Sequence, residues 1–162
     1  MERWPPPQYR IHVEFRAPRA FVYRWCTDYQ PDDGTFAGET YDRRILERSK
    51  HKVVYEDLWW EPDGWRWRRT LVILDPPHGW RAYSIGNVRT ARIGYRLAEL
   101  DRNRTRLTLT MRRRPGLRHR RQPLKAVLER ELLRMWRGFG RALEADYRRS
   151  LKKSWAIGSP AR

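Results

Sequence analysis

Residues 9–16, YRIHVEFR, alternate strictly, with Tyr9, Ile11, Val13 and Phe15 on one side and Arg10, His12, Glu14 and Arg16 on the other. A period of two predicts a strand with one buried and one wet face. The period then changes. Pro18 suits the first turn of a helix, where its missing N–H would be unpaired anyway, and Phe21, Val22, Trp25 and Cys26 recur at helical spacing. Residues 29–41 hold Pro, Asp and Gly and read as a loop with room for one short helix. Six strand-like segments follow, at 43–49, 52–60, 65–74, 80–87, 89–100 and 104–113. The sequences EPDG, DPPHG and DRNR mark turns between them, so the series predicts an antiparallel meander. Pro123 opens a last helix running to about Trp155, roughly 45–50 Å long. Leu128, Leu132, Met135, Trp136, Phe139 and Leu143 form the middle of its apolar stripe.

The pattern predicts one α+β domain over residues 8–155, with an extension at 1–7 and a tail at 156–162. Its sheet is curved, antiparallel and about seven-stranded, with one or two short helices after the first strand. Only the last helix is long enough to cover one face of that sheet. A helix laid across a curved sheet leaves space beneath it, which is either core or pocket.

This order of elements resembles the START-like, birch-pollen-allergen-type superfamily with the helix-grip fold, in particular its polyketide cyclase/dehydrase and lipid transport group. The stretches that carry the resemblance are IHVEFRAPRAFVYRWCTDY, the hairpin YRLAELDRNRTRLTLTM and the terminal helix. It covers about Tyr9 to Leu151. It implies a hydrophobic cavity that binds or carries a lipid or other apolar small molecule, or that serves a cyclase or hydratase. It transfers no catalytic residue.

Charge adds a rival class. The 162 residues carry 36 basic and 19 acidic side chains, a formal net charge of +17. Attraction to nucleic acid, an anionic membrane surface or an acidic ligand follows. The basic residues are 31 Arg and 5 Lys, a bias that genome composition alone can also produce. A loop RRRPGLRHRRQP offers Arg112, Arg113, Arg114, Arg118, Arg120 and Arg121 as candidate contacts to an anionic surface. Interleaved Trp and Arg keep a polyanion-binding module as an alternative. A single cysteine and a start, MERWPPPQYR, without an apolar segment predict a cytoplasmic protein. Scattered histidines predict no metal site, no cofactor motif is present, and nothing demands catalysis. An acid/base role would fall to Asp57 or Glu56 with Tyr95. Gly138 and Gly140, inside the last helix, fit either a bend or bare patch beside a ligand, or close packing on the sheet.

The segment YEDLWWEPDGWRWRRTLVIL sets the candidate cavity. With PDG as a three-residue loop, Trp59 pairs with Trp67, Asp57 with Arg69 and Tyr55 with Leu71. Shifted by one, Leu58 faces Trp67 and Glu56 faces Arg69. The next turn puts Leu71 opposite Tyr83, Arg69 opposite Ile85 and Trp67 opposite Asn87. The expected concave face therefore carries Trp67, Arg69, Leu71, Tyr83 and Ile85, together with Ile93, Tyr95, Leu109 and Met111. Tyr55, Asp57 and Trp59 contribute from the preceding strand, and Met135 and Phe139 from the helix. Arg66, Arg68, Arg92, Arg96 and Arg106 fall on the convex side. Arg69, its carboxylate partner, Asn87 and Tyr95 could hold a ligand's polar head. Alternatively, Arg69 makes an ordinary cross-strand ion pair.

Overall fold

The computed structural model describes residues 8–87, 89–115 and 124–157. Strand β1 (Tyr9–Phe15) leads into helix α1 (Arg19–Thr27) and the short α2 (Asp33–Ala37). Six strands follow: β2 (Asp42–Arg48), β3 (Lys52–Glu61), β4 (Gly64–Asp75), β5 (Gly79–Gly86), β6 (Arg89–Asp101) and β7 (Arg104–Pro115). Helix α3 (Lys125–Ile157) completes the chain's described elements. The seven strands form one antiparallel sheet in the order β1-β7-β6-β5-β4-β3-β2. The expected α+β layout is therefore the observed one. The basic run is not all loop, because Arg112, Arg113 and Arg114 belong to β7; Arg118, Arg120 and Arg121 lie outside the described residues.

The core lies between the concave face of the sheet and α3. Tyr9, Ile11, Val13 and Phe15 are buried together with Leu107, Leu109 and Met111 from β7 and Leu128, Leu132, Trp136 and Leu143 from α3. The helix also ties down the sheet's edge. The backbone N–H groups of Arg10 and Arg16 donate to Glu129 and Glu144 of α3, each at 2.8 Å. These donors, one within β1 and one just past its end, face away from β7, so the helix carboxylates satisfy part of an otherwise open edge.

Gly138 and Gly140 are packing residues. A Cβ on Gly138 would lie 2.3 Å from the carbonyl oxygen of Phe36, and one on Gly140 would meet the Phe15 ring at 3.3 Å. The bare backbone lets α2 and β1 approach α3, which offsets the roughly 1 kcal/mol that a helical glycine costs.

The register at the tryptophan hairpin departs from the three-residue-loop reading. Glu61 pairs with Gly64, leaving Pro62-Asp63 as a two-residue loop. Leu58 therefore faces Trp67, Glu56 faces Arg69 and Tyr55 faces Thr70. The β4–β5 register is as expected, with Leu71 opposite Tyr83 and Arg69 opposite Ile85. The face is the reverse of the expected one. Trp67, Arg69, Leu71 and Ile85 are exposed on the convex side and Tyr83 is half-buried there, whereas Arg66, Thr70, Val72, Trp80, Ala82 and Ser84 are buried. Pleating fixes the consequence: once one residue of β4 faces inward, every second one does.

Candidate functional site

A cavity of about 210 Å³ lies between the concave sheet, α1, α2 and α3. Its apolar wall is built by stacking. The Trp80 ring from β5 lies on Tyr95 from β6, with centroids 4.6 Å apart and planes at 16°. Trp136 of α3 packs against Tyr95 at 5.8 Å and against Phe139 at 5.3 Å. Ile93, Leu109, Met111 and Met135 extend this wall. Alternation along β6 and β7 and helical spacing along α3 put these side chains inward. Tyr55 lines the cavity as expected. Burial pushes the Tyr95 hydroxyl above its ordinary range, so it is a neutral hydrogen-bonding group at physiological pH. Burial likewise raises the Cys26 thiol at the wall, which makes it a poor nucleophile.

The opposite wall is ionic: Asp33, Tyr41, Arg43 and Arg68 line it, and Asp57, expected in the cavity, lies behind them and does not line it. Asp57 is fully buried, and its two oxygens accept from Arg43 Nε at 2.8 Å and Arg68 Nη2 at 2.5 Å. Arg43 also donates to Asp33 at 2.8 Å and to the Tyr41 hydroxyl at 3.1 Å. Its guanidinium lies 4.3 Å from the Tyr55 ring centroid and 4.8 Å from that of Tyr41. Tyr29 holds a left-handed backbone (φ 52°) and sets its ring 5.1 Å from Tyr55. The acidic partner and the aromatic rings together make burial of two guanidiniums tolerable. Asp33, at the cavity wall, is raised to about 6 by burial, with Arg43 pulling it the other way.

Arginines also close one end of the cavity: Arg68, Arg89 and Arg113 all line it. Arg89 is pushed down to about 10, first by burial and then by Arg113 and Arg68. Sequence reasoning places Arg113 at an anionic surface and does not single out Arg68, Arg89, Arg43 or Asp33 as site residues. The signal that could have found them is Asp57, a carboxylate on the same parity of β3 as the buried Val53 and Tyr55. An acid on an inward parity calls for inward cations on the neighbouring strands.

The remaining expected site residues lie elsewhere. Arg69 binds Glu56 at 2.6 Å on the convex face, with 54% of its side chain exposed. It is a cross-strand ion pair and does not reach the cavity. Glu56 is thereby removed from any acid/base role, and Asp57 is committed to two arginines. Asn87 accepts from the Trp67 N–H at 3.1 Å and donates to the Trp65 carbonyl at 2.9 Å, so it extends the β4 edge past the end of its ladder with β5. Trp59 is half-buried beneath Arg68, 5.7 Å from ring centroid to guanidinium, and donates to Glu61. Arg66 curls back over its own turn to Glu61, at 3.0 Å, and Asp63. It is shielded by the turn at the edge of the molecule and lies outside the cavity.

No family model matches the sequence, and no curated protein matches it. Solved structures do. The protein TTHA0849 from Thermus thermophilus superposes with a TM-score of 0.67 at 13% identity, over 85% of this chain and 97% of that one. The aromatase/cyclase ZhuI from Streptomyces sp. R1128 gives 0.63 at 18% identity, over 88% and 93%. The di-domain aromatase/cyclase StfQ of the steffimycin biosynthetic pathway gives 0.67 at 15% identity over 87% of this chain, which spans 46% of that larger one. A START superfamily protein from Mycobacterium smegmatis gives 0.62 at 13% identity, over 86% and 96%. At these identities the likeness is one of fold. The chain has the helix-grip fold that START-superfamily proteins and aromatase/cyclases share, with the cavity between its curved sheet and long helix.

Proposed function

We propose that this protein binds an apolar small molecule with a flat, polycyclic-sized body in the cavity between sheet and α3. The observation that carries the reading is the wall formed by the stacked Trp80 and Tyr95 with Trp136 and Phe139 around about 210 Å³ of space. A single water needs only about 10–15 Å³ of such space, so the cavity suits an organic molecule. Aromatic walls with a few placed polar groups are how small-molecule sites are usually built. The aromatase/cyclases among the similar folds favour a polyketide-like or lipid-like body over a sugar or nucleotide.

Carriage or storage of the ligand is the first reading, and a cyclase or hydratase is the second. The second is favoured by Asp33, whose carboxyl at about 6 is suited to exchanging protons near neutral pH. Native mass spectrometry of the protein as purified from cells, and again after mixing with a pool of fatty acids and polycyclic aromatics, tests the first reading. A one-to-one complex is expected, lost in the Ala82→Phe variant that fills the cavity. The bare chain mass under both conditions would overturn it. Conversion of the captured compound by the parent protein but not by Asp33→Asn would favour the enzyme.

A further inference from the structure

At the arginine-lined end of the cavity Arg68, Arg89 and Arg113 gather around one lining carboxylate, Glu39. Alternation puts Arg89, Ala91 and Ile93 of β6 on the concave face. Ala91 lies opposite Arg113 in β7 and opposite Ser84 in β5, and Arg68 of β4 lies opposite Gly86. The arginines of three strands thus surround a floor of small residues: Ser84, Gly86 and Ala91. Asp57, the buried acid on this side, is already shared between Arg43 and Arg68.

Arg89 differs from those two. Among the described residues, no carboxylate forms an ion pair with it, and its side chain makes no hydrogen bond. Glu39 and Glu61 act on it through space, but burial, Arg113 and Arg68 outweigh them and lower its affinity for its proton. A guanidinium stays charged in proteins even when burial lowers its pKa. Arg89 is half-buried, and a partly desolvated charge beside two like charges is costly unless an anion joins it.

We infer that this end of the cavity is an anion subsite, in which Arg89, flanked by Arg113 and Arg68, receives the carboxylate of an amphipathic acid whose apolar body lies along Trp80, Tyr95 and Trp136. The inference rests on the proposed cavity function and narrows its ligand class to apolar acids. The planar fork of Arg89 matches a carboxylate with two parallel N–H···O bonds. Ser84 and Ala91 leave room for the head to approach.

The test compares 2-naphthoate with 2-naphthamide by isothermal titration calorimetry. The two have the same body and almost the same head shape, and they differ in charge. Naphthoate is expected to bind about tenfold or more tightly than the amide, because hydrogen bonds to an ionised group are roughly twice as strong. Arg89→Gln is expected to reduce naphthoate to the level of the amide and leave the amide unchanged. The same substitution is expected to raise the melting temperature of the ligand-free protein, since it removes an uncompensated charge. Equal binding of the two compounds by the parent protein would overturn the inference and leave the cavity reading intact. So would a preference that survives Arg89→Gln. Binding of neither compound would overturn the cavity reading and the anion subsite with it. If Arg89→Gln does not fold, a structural role for Arg89 is indicated, and the parent protein's preference, with Arg89→Lys keeping the charge but losing the fork, decides the matter.

Discussion

The β3–β4 hairpin carries two arginine–carboxylate pairs one residue apart on opposite faces of the sheet. Asp57 and Arg68 point inward; Glu56 and Arg69 point outward. Both pairs are close, at 2.5 and 2.6 Å, so distance does not distinguish them. Environment does. The side chain of Asp57 is fully buried and also bridges Arg43, which is 4% exposed. Glu56 and Arg69 are 35% and 54% exposed. Inside, Asp57 has no access to water and depends on its two arginines, although Arg68 itself is 27% exposed. Outside, water and salt do most of the stabilising. The charges that face the cavity are Arg68, Arg43 and their arginine neighbours, with Asp57 held behind them, although the outer pair looks the same in sequence.

The largest expected effect is on the inner pair. Asp57→Ala would leave Arg43 and Arg68 buried without their shared acid. It is expected to destabilise the protein by about 3–5 kcal/mol, measured by urea denaturation. A loss below about 1 kcal/mol would mean that the inner network is solvated and that the contrast is wrong.

The pH dependence gives a second, smaller effect. Burial holds the Asp33 carboxyl at about 6 in the fold, against about 3.9 in an unfolded chain. Between about pH 4 and 6 the folded form holds the proton and the unfolded form has lost it, so stability falls as pH rises through that window and is level above it. Asp33→Asn cannot ionise. Its melting temperature relative to the parent is expected to climb from about pH 4 to about pH 7 and then level off. A flat or falling difference would contradict the burial of this carboxyl.

The smallest effect belongs to the outer pair. Glu56→Ala is expected to cost no more than about 1 kcal/mol, with most of that gone at high salt. Urea midpoints with and without about 0.5 M salt, several times physiological ionic strength, would check it. A cost equal to that of Asp57→Ala would erase the distinction between the faces.

The same contrast explains what the sequence could and could not reveal. In β1, β6 and β7 the inward stripe is also the apolar one: Ile11, Val13 and Phe15, then Tyr95 and Leu97, then Leu107, Leu109 and Met111. Alternation there gives the inward face directly, and the long stripe on α3 brings in Met135 and Phe139. In β4 the two parities compete. The parity of Trp65, Trp67, Leu71 and Ile73 is the more apolar, yet it faces out; Arg66, Arg68, Thr70 and Val72 face in. A polar site reverses the hydrophobic rule locally. Only the two-residue Pro62-Asp63 loop and the buried acid on β3 reveal the reversal. Neither is fixed by composition, since EPDG supports loops of two or three residues. Arg89 is harder to see, because its significance depends on its surroundings, which only the three-dimensional arrangement displays.

The central claim is that the concave side binds the ligand. A fluorescence titration with the neutral, polycyclic N-phenyl-1-naphthylamine tests it most directly, in Ala82→Phe on the concave face and Trp67→Ala on the convex face. The account predicts that Ala82→Phe, which fills the cavity beside Trp80, weakens binding about tenfold or more, and that Trp67→Ala leaves it unchanged. Unchanged binding in Ala82→Phe together with loss in Trp67→Ala would place the site on the outer face and contradict the account.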